Sequence, residues 1–244
     1  VCVVYVAELE LLGTRSSSAG YECYTPDGRR RVLRASGAVA VALEPRHITL
    51  SFDTQAGPFS YRLERTNDAF AQHRPSPRLG WQILTAMSPA RATGVLDEGE
   101  LLGFGYSDRV ELGAPPRALG LSELAWGRGR TGSENFVFTE ARFRDRSVFR
   151  RAVLNGASLD DFALARGERS LELALGASRF ELEEERCLHA GNAVDEQRFP
   201  SALERSLSRV LSGNVHEMRA LACVRGKNHE SGLALHERVY FGAH

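Results

Sequence analysis

The chain has 244 residues, 43% hydrophobic and 25% charged, and its 31 basic and 31 acidic side chains leave no formal net charge. That length supports one large β domain or two small ones. With balanced charge and no long Lys or Arg block, neither nucleic acid nor an acidic membrane is an implied partner.

Lys227 is the sole lysine, a skew toward arginine that reads as high-GC codon usage and a bacterial source. The opening residues VCVVYVAELELLG are apolar but too short to span a bilayer, and they lack the basic stretch and cleavage site of a secretory signal. No integral membrane segment and a cytoplasmic location are expected. Cys2, Cys23, Cys187 and Cys223 show no C-x-x-C spacing, so buried free thiols are expected.

Short alternating runs follow at residues 31–35, 38–43, 47–53 and 59–65, each bounded by Gly, Pro or Asp. Residues 47–65 read as a hairpin with Ile48, Leu50 and Phe52 on one face. The stretch 74–91 carries Pro75, Pro77 and Pro89 around an apolar run and admits a strand or one short helix. Further strands are expected at 94–102, 123–130, 135–141, 147–154, 162–164, 170–175 and 180–188. Pro200 and a Ser201-x-x-Glu204 capping box open an amphipathic helix, with Phe199, Leu203, Leu207, Val210 and Leu211 on one stripe, and Gly213 closes it. Residues 215–224 and 233–241 form a last hairpin around the polar loop 225–232. Many short strands with one late helix describe an antiparallel β-barrel architecture enclosing a ligand cavity.

The segment Gly103-Phe-Gly-Tyr106, Ser107-Asp108-Arg109, then Trp126-Gly127-Arg128-Gly129-Arg130 and the strand Phe136-Val-Phe138 resembles the carotenoid 1,2-hydratase (hydroxyneurosporene synthase) and AttH lipocalin-like superfamily. That group carries G-x-G-Y-H-D-H-N-W-G followed by W-x-W-G-R. Val215-His216-Glu217 and Ser231-Gly232 through His236-Glu237 to Tyr240 resemble its C-terminal strand pair. The resemblance implies an all-β fold of two lipocalin-like (calycin-like) antiparallel barrels side by side, at 1–120 and 121–244. It also implies a hydratase or cyclase acting on a hydrophobic isoprenoid or polyketide-like substrate, with a non-catalytic lipid or pigment carrier as the alternative. Asp108, Glu217 and Glu237 are then the candidate catalytic residues, and Tyr106, Trp126 and Arg128 the candidate substrate-binding ones.

Where the family has His-Asp-His-Asn-Trp, this chain has Ser107-Asp108-Arg109-Val110-Glu111, keeping only the aspartate. Hydrating an isolated alkene needs a strong proton donor, whereas a cyclase gains mainly from positioning its substrate. Trp126, Arg128 and Arg130 share one strand face, which makes either an aromatic, cationic surface or salt bridges to Glu111, Glu123 or Glu134. His216 and His236 could meet across the last hairpin, but two histidines without a carboxylate or cysteine at fixed spacing do not make a zinc site. Gly103-Phe-Gly105 lacks the third glycine and following helix of a phosphate cradle. No metal and no cofactor are expected.

Overall fold

A computed structural model describes residues 1–11, 14–25, 29–65, 73–76, 78–95, 99–192, 214–226 and 230–242. Among these every regular element is a β-strand, and the strands form two curled antiparallel sheets. The expected helix over 199–213 lies outside the described residues. No helix among the described residues is long and apolar enough to cross a membrane.

The first sheet contains β1 (Cys2–Leu11), β2 (Thr14–Tyr24), β3 (Arg30–Leu43), β4 (His47–Thr54), β5 (Gly57–Glu64), β6 (His73–Ser76), β7 (Leu79–Val95) and β8 (Gly99–Leu112). Its order is β1-β2-β3-β4-β5-β7-β6, with β8 also paired to β7. The runs at 31–35 and 38–43 are one strand, interrupted by a register shift between Ala35 and Val39. The 47–65 hairpin forms as its alternation dictates: Ile48, Leu50 and Phe52 are buried while Ser51 and Asp53 are exposed. Phe52 lies opposite Phe59, whose ring stacks on Tyr21 at 4.3 Å.

Within 74–91 the described residues 74–76 lie in β6 and 79–91 in β7. The ladder from β5 ends at Ala90, one residue short of Pro89, so β5 does not call on the missing N–H of the proline. The strand expected over 94–102 is instead the end of β7 and the start of β8, with Val95 and Gly99 as the bounds.

The second sheet contains β9 (Leu121–Arg130), β10 (Asn135–Phe143), β11 (Val148–Leu154), β12 (Ala157–Leu159), β13 (Ala163–Arg166), β14 (Ser170–Leu175), β15 (Ser178–Asn192), β16 (Asn214–Arg225) and β17 (Ser231–Gly242). Its order is β12-β11-β10-β9-β17-β16-β15-β14-β13. The curl is evident because Arg166 of β13 bonds Glu140 of β10, six places away in that order. One end of the enclosed concave face is a packed apolar core of Phe136, Phe138, Leu171, Leu173, Phe180 and Leu182 with their neighbours. The chain divides into two compact units, residues 1–68 with 88–106 and residues 69–87 with 107–244.

All four cysteines are free, but only Cys23 is buried; Cys187 is exposed, and Cys2 and Cys223 are half-buried. Cys187 departs from the expectation because it lies between two register shifts of β15, at 184/186 and 187/189, where the ladder is broken. Cys2 and Cys23 stand directly opposite each other. A hydrogen bond to Cys23, together with burial, pushes the Cys2 thiol far above its ordinary range, which leaves little thiolate to react. Titration of the native protein with a disulfide reagent at pH 8 should therefore show Cys187 reacting first and Cys2 and Cys23 protected until unfolding. A fast phase that survives Cys187→Ser would contradict this assignment.

Candidate functional site

The alternation Trp-Gly-Arg-Gly-Arg on β9 sorts side chains to opposite faces of the second sheet. Gly127 pairs with Phe138 and Gly129 with Phe136. A Cβ on either glycine would lie 2.5 Å from the opposing phenylalanine ring, so the rings occupy the space the glycines leave. Trp126, Arg128 and Arg130 consequently face the other, convex side.

On that convex face the ladders bring four of the expected residues together. Glu237 is the cross-strand partner of Trp126. Its carboxylate accepts from Arg128 Nη1 at 2.7 Å and from Arg219 Nε at 2.9 Å. Arg219 Nη2 also donates to Glu217 at 2.8 Å. Trp126 itself meets Trp81 edge to face, with centroids 6.4 Å apart. Burial pushes the Glu237 carboxyl up, but Arg128 and Arg219 more than reverse this and hold it below its ordinary range. Arg128 thus pairs with Glu237. Arg219 joins the two glutamates of this cluster by bonding both.

Tyr106 and Asp108 are both half-buried on β8, and their spacing of two puts them on one face of that strand. His216 and His236 do not meet: register pairs His216 with Tyr240 and His236 with Ala220.

The concave face carries a second polar group that sequence reasoning missed. Register aligns Glu123, Glu140, Arg142, Arg150, Arg166, Glu184, His236 and Arg238 on it. Glu140 has no exposed surface and is held by Arg142 at 2.6 Å, Arg150 at 2.7 Å and Arg166 at 2.6 Å. Burial raises its pKa, and the three arginine bonds outweigh that and lower it. Arg166 also reaches Glu123 at 3.2 Å.

Beside this clamp, the fully buried His236 has Nε2 3.3 Å from Glu184 Oε1, and Arg238 Nη2 lies 3.7 Å from the same oxygen. Neither contact has hydrogen-bond geometry, and both His236 ring nitrogens remain without a partner. Burial first, then Arg238, push the imidazole down to about 4 against an opposing pull from Glu237, so it is neutral at pH 7 and its contact with Glu184 is not an ion pair. The signal for this group was dispersed over two strands, β15 and β17, with Glu184 separated from His236 by the whole of β16. Only the fold assembles it.

No protein-family model matches the chain, and no curated protein matches it by sequence. Solved structures do. The chain superposes on crystalline CghA with Sch210972 at a TM-score of 0.60 and 14% identity, covering 94% of this chain and 81% of that one. A second crystal structure of CghA gives 0.56 at 14% identity with the same coverage. A candidate AttH protein from Nitrosomonas europaea gives 0.59 at 9% identity, covering 99% of this chain and 86% of that one. The fold is the lipocalin-like one. AttH is the very group that the central and C-terminal motifs resemble, so the worn motifs and the lipocalin-like topology point the same way.

Two predictions test the site's construction. Gly127→Ala should cost about 1–3 kcal/mol in urea unfolding, because its methyl must displace the Phe138 ring in a packed core. An unchanged midpoint would show that the glycine is not required.

The second concerns pH. Between about 6.5 and about 4 the unfolded chain takes up a proton that folded His236 refuses. Stability is therefore lost as pH falls through that window, by about 3 kcal/mol in total, and is unaffected above it. The drop in unfolding free energy from pH 7 to pH 4 should be smaller by about that amount in His236→Gln. Equal drops in the two proteins would refute the burial of a neutral imidazole.

Proposed function

We propose that this protein is an enzyme of hydratase or cyclase type acting on a hydrophobic, isoprenoid or polyketide-like small molecule, with cyclisation as the better fit. The observation that carries the choice is the state of the buried glutamates. Glu140 and Glu237 are both held ionised by arginines, and an ionised carboxylate cannot protonate an alkene. What such a cluster does well is hold rigid, hydrogen-bonded side chains around an aromatic surface. That suits a reaction in which the gain comes from folding a flexible substrate into reactive geometry.

In this reading Trp126 supplies a flat apolar wall and Arg128 a fixed cationic donor. Glu237 and Glu217 orient Arg128 and Arg219, which makes them positioning residues. Asp108 supplies the polar anchor or acid, with Tyr106 beside it on the strand. The lipocalin-like fold, shared with a protein that has been crystallised with a small organic molecule, supports a ligand-bearing role.

The same ionised glutamates also favour the second reading, a carrier that binds a lipid or pigment without transforming it. A carrier requires no acid.

Native mass spectrometry of the protein from its own host would identify a copurified hydrophobic molecule, and incubation with the candidate precursor separates the readings by product mass. A cyclase returns a compound of unchanged mass and altered retention, a hydratase adds one water, and a carrier returns the input. Asp108→Asn should reduce conversion by about a hundredfold if the aspartate transfers or anchors a proton in the reaction. Full turnover in that variant would remove Asp108 from the mechanism, and a protein indifferent to every hydrophobic compound tested would remove both readings.

A further inference from the structure

Of the four cysteines, only Cys2 and Cys23 face each other across a ladder. Cys187 stands opposite Ala220, and Cys223 opposite Glu183 and Leu233. The kind of opposition matters. In an antiparallel ladder, opposed residues alternate between pairs that exchange both backbone hydrogen bonds and pairs that exchange none, and side chains come closer in the second kind. The adjoining pair is of the first kind: Tyr24 N donates to Val1 O at 2.8 Å, and Val1 N donates to Tyr24 O at 3.0 Å. Cys2 and Cys23 are therefore of the second kind, whose Cα atoms stand about 4.5 Å apart. A disulfide closes without backbone movement over a Cα separation of about 4.4 to 6.8 Å.

The surroundings keep the two sulfur atoms together. Cys23 belongs to the apolar cluster of Ala19, Tyr21, Leu50, Phe52 and Phe59, and Cys2 packs against that cluster. Their thiols are already joined by a hydrogen bond. Among the described residues β1 is the terminal strand of its sheet, with β2 as its one partner in the strand order. A strand held on one side opens locally more readily than one held on both, so a covalent tie near its start has something to restrain.

We propose that Cys2 and Cys23 form a disulfide that locks β1 onto β2, the oxidant being a second disulfide such as glutathione disulfide. One cysteine thiolate attacks a sulfur of the oxidant and releases one thiol. The other cysteine thiolate then attacks the mixed disulfide, which forms the Sγ–Sγ bond and releases the second thiol. Both cysteine protons pass to the departing thiols, and the two electrons lost by the cysteines reduce the oxidant. Exchange of this kind needs an accessible thiolate, whereas in the folded protein Cys23 is buried and the Cys2 thiol is held protonated. The bond is accordingly made while β1 is open during folding and is sheltered once the strand has closed. It lies in the first sheet and is independent of the enzymatic reading.

Refolding the full chain from denaturant in glutathione disulfide, alongside refolding in a thiol reductant, tests this. Non-reducing peptide mapping of the oxidised product should show Cys2 linked to Cys23 as the main cross-link, two hydrogens lighter than the dithiol. Backbone amides of β1 should exchange hydrogen at least about tenfold more slowly in the oxidised than in the reduced protein, because the cross-link restricts the open states. Glutathione disulfide added to the folded, reduced protein should make the link at least about tenfold more slowly than during refolding.

Both preparations carry the native sequence, so the comparison stands whether or not Cys2→Ser folds; where it folds, that variant should lose the cross-link and the slowed exchange together. A persistent dithiol after oxidative refolding, a main cross-link from Cys2 or Cys23 to Cys187 or Cys223, or equal β1 exchange in the two preparations would overturn the proposal. Equally fast linkage in the folded protein would overturn its formation during folding.

Discussion

The seating of Phe138 over Gly127 and of Phe136 over Gly129 fixes the register of β9 against β10, and the chemistry of the second sheet follows from that register. Side chains alternate strictly along a strand, so a slip of one residue would exchange the two faces. The glycines prevent it: only where β9 lacks a Cβ can the rings lie against its backbone. With that pairing set, Arg128 must face Glu237, and His236 must face the concave side between Gly127 and Ala220. Adjacent residues of β17, His236 and Glu237, thus enter two different polar environments separated by the thickness of one sheet.

Those environments solve the problem of burying charge in different ways. On the convex side Glu237 has an arginine on each oxygen, and Glu217 bonds the second of these arginines. Ionic groups taken out of water are tolerated when their hydrogen bonds are completed in this way. On the concave side Glu140 accepts from three arginines on two oxygens, while Arg238, two strands away, has its nearest carboxylate oxygen on Glu184 at 3.7 Å.

Much of this was legible in the sequence, for reasons that can be located. The hairpin at 47–65 declared itself because one face is apolar and the turn is short. The common face of Trp126, Arg128 and Arg130 followed from spacing alone, and the lipocalin-like topology from motifs at the centre and C-terminus. The extension of 74–91 was ambiguous because its prolines permit either a helix start or a strand end, and only the place where the β5 ladder stops decides between them. The concave cluster was invisible for a different reason. Glu123, Glu140, Arg166, Glu184 and His236 come from five strands, and no local pattern encodes which of them the curl of the sheet brings face to face.

That distinction bears on how function is divided in the molecule. The residues that match the resembled pattern, the Trp-Gly-Arg of β9 and the Glu of β17, sit where they secure the register and the ion pairs of this sheet. Their presence needs no shared reaction, because here the glycines lie under the aromatic rings and the carboxylate lies between Arg128 and Arg219. On the concave face His236 and Arg238 are the neighbours of the Glu184 carboxylate, so replacing both by apolar side chains would leave a largely buried carboxylate without them. His236 and Arg238 both face Glu184, so the polar contacts of the concave face depend on which strands the curl of the sheet brings together.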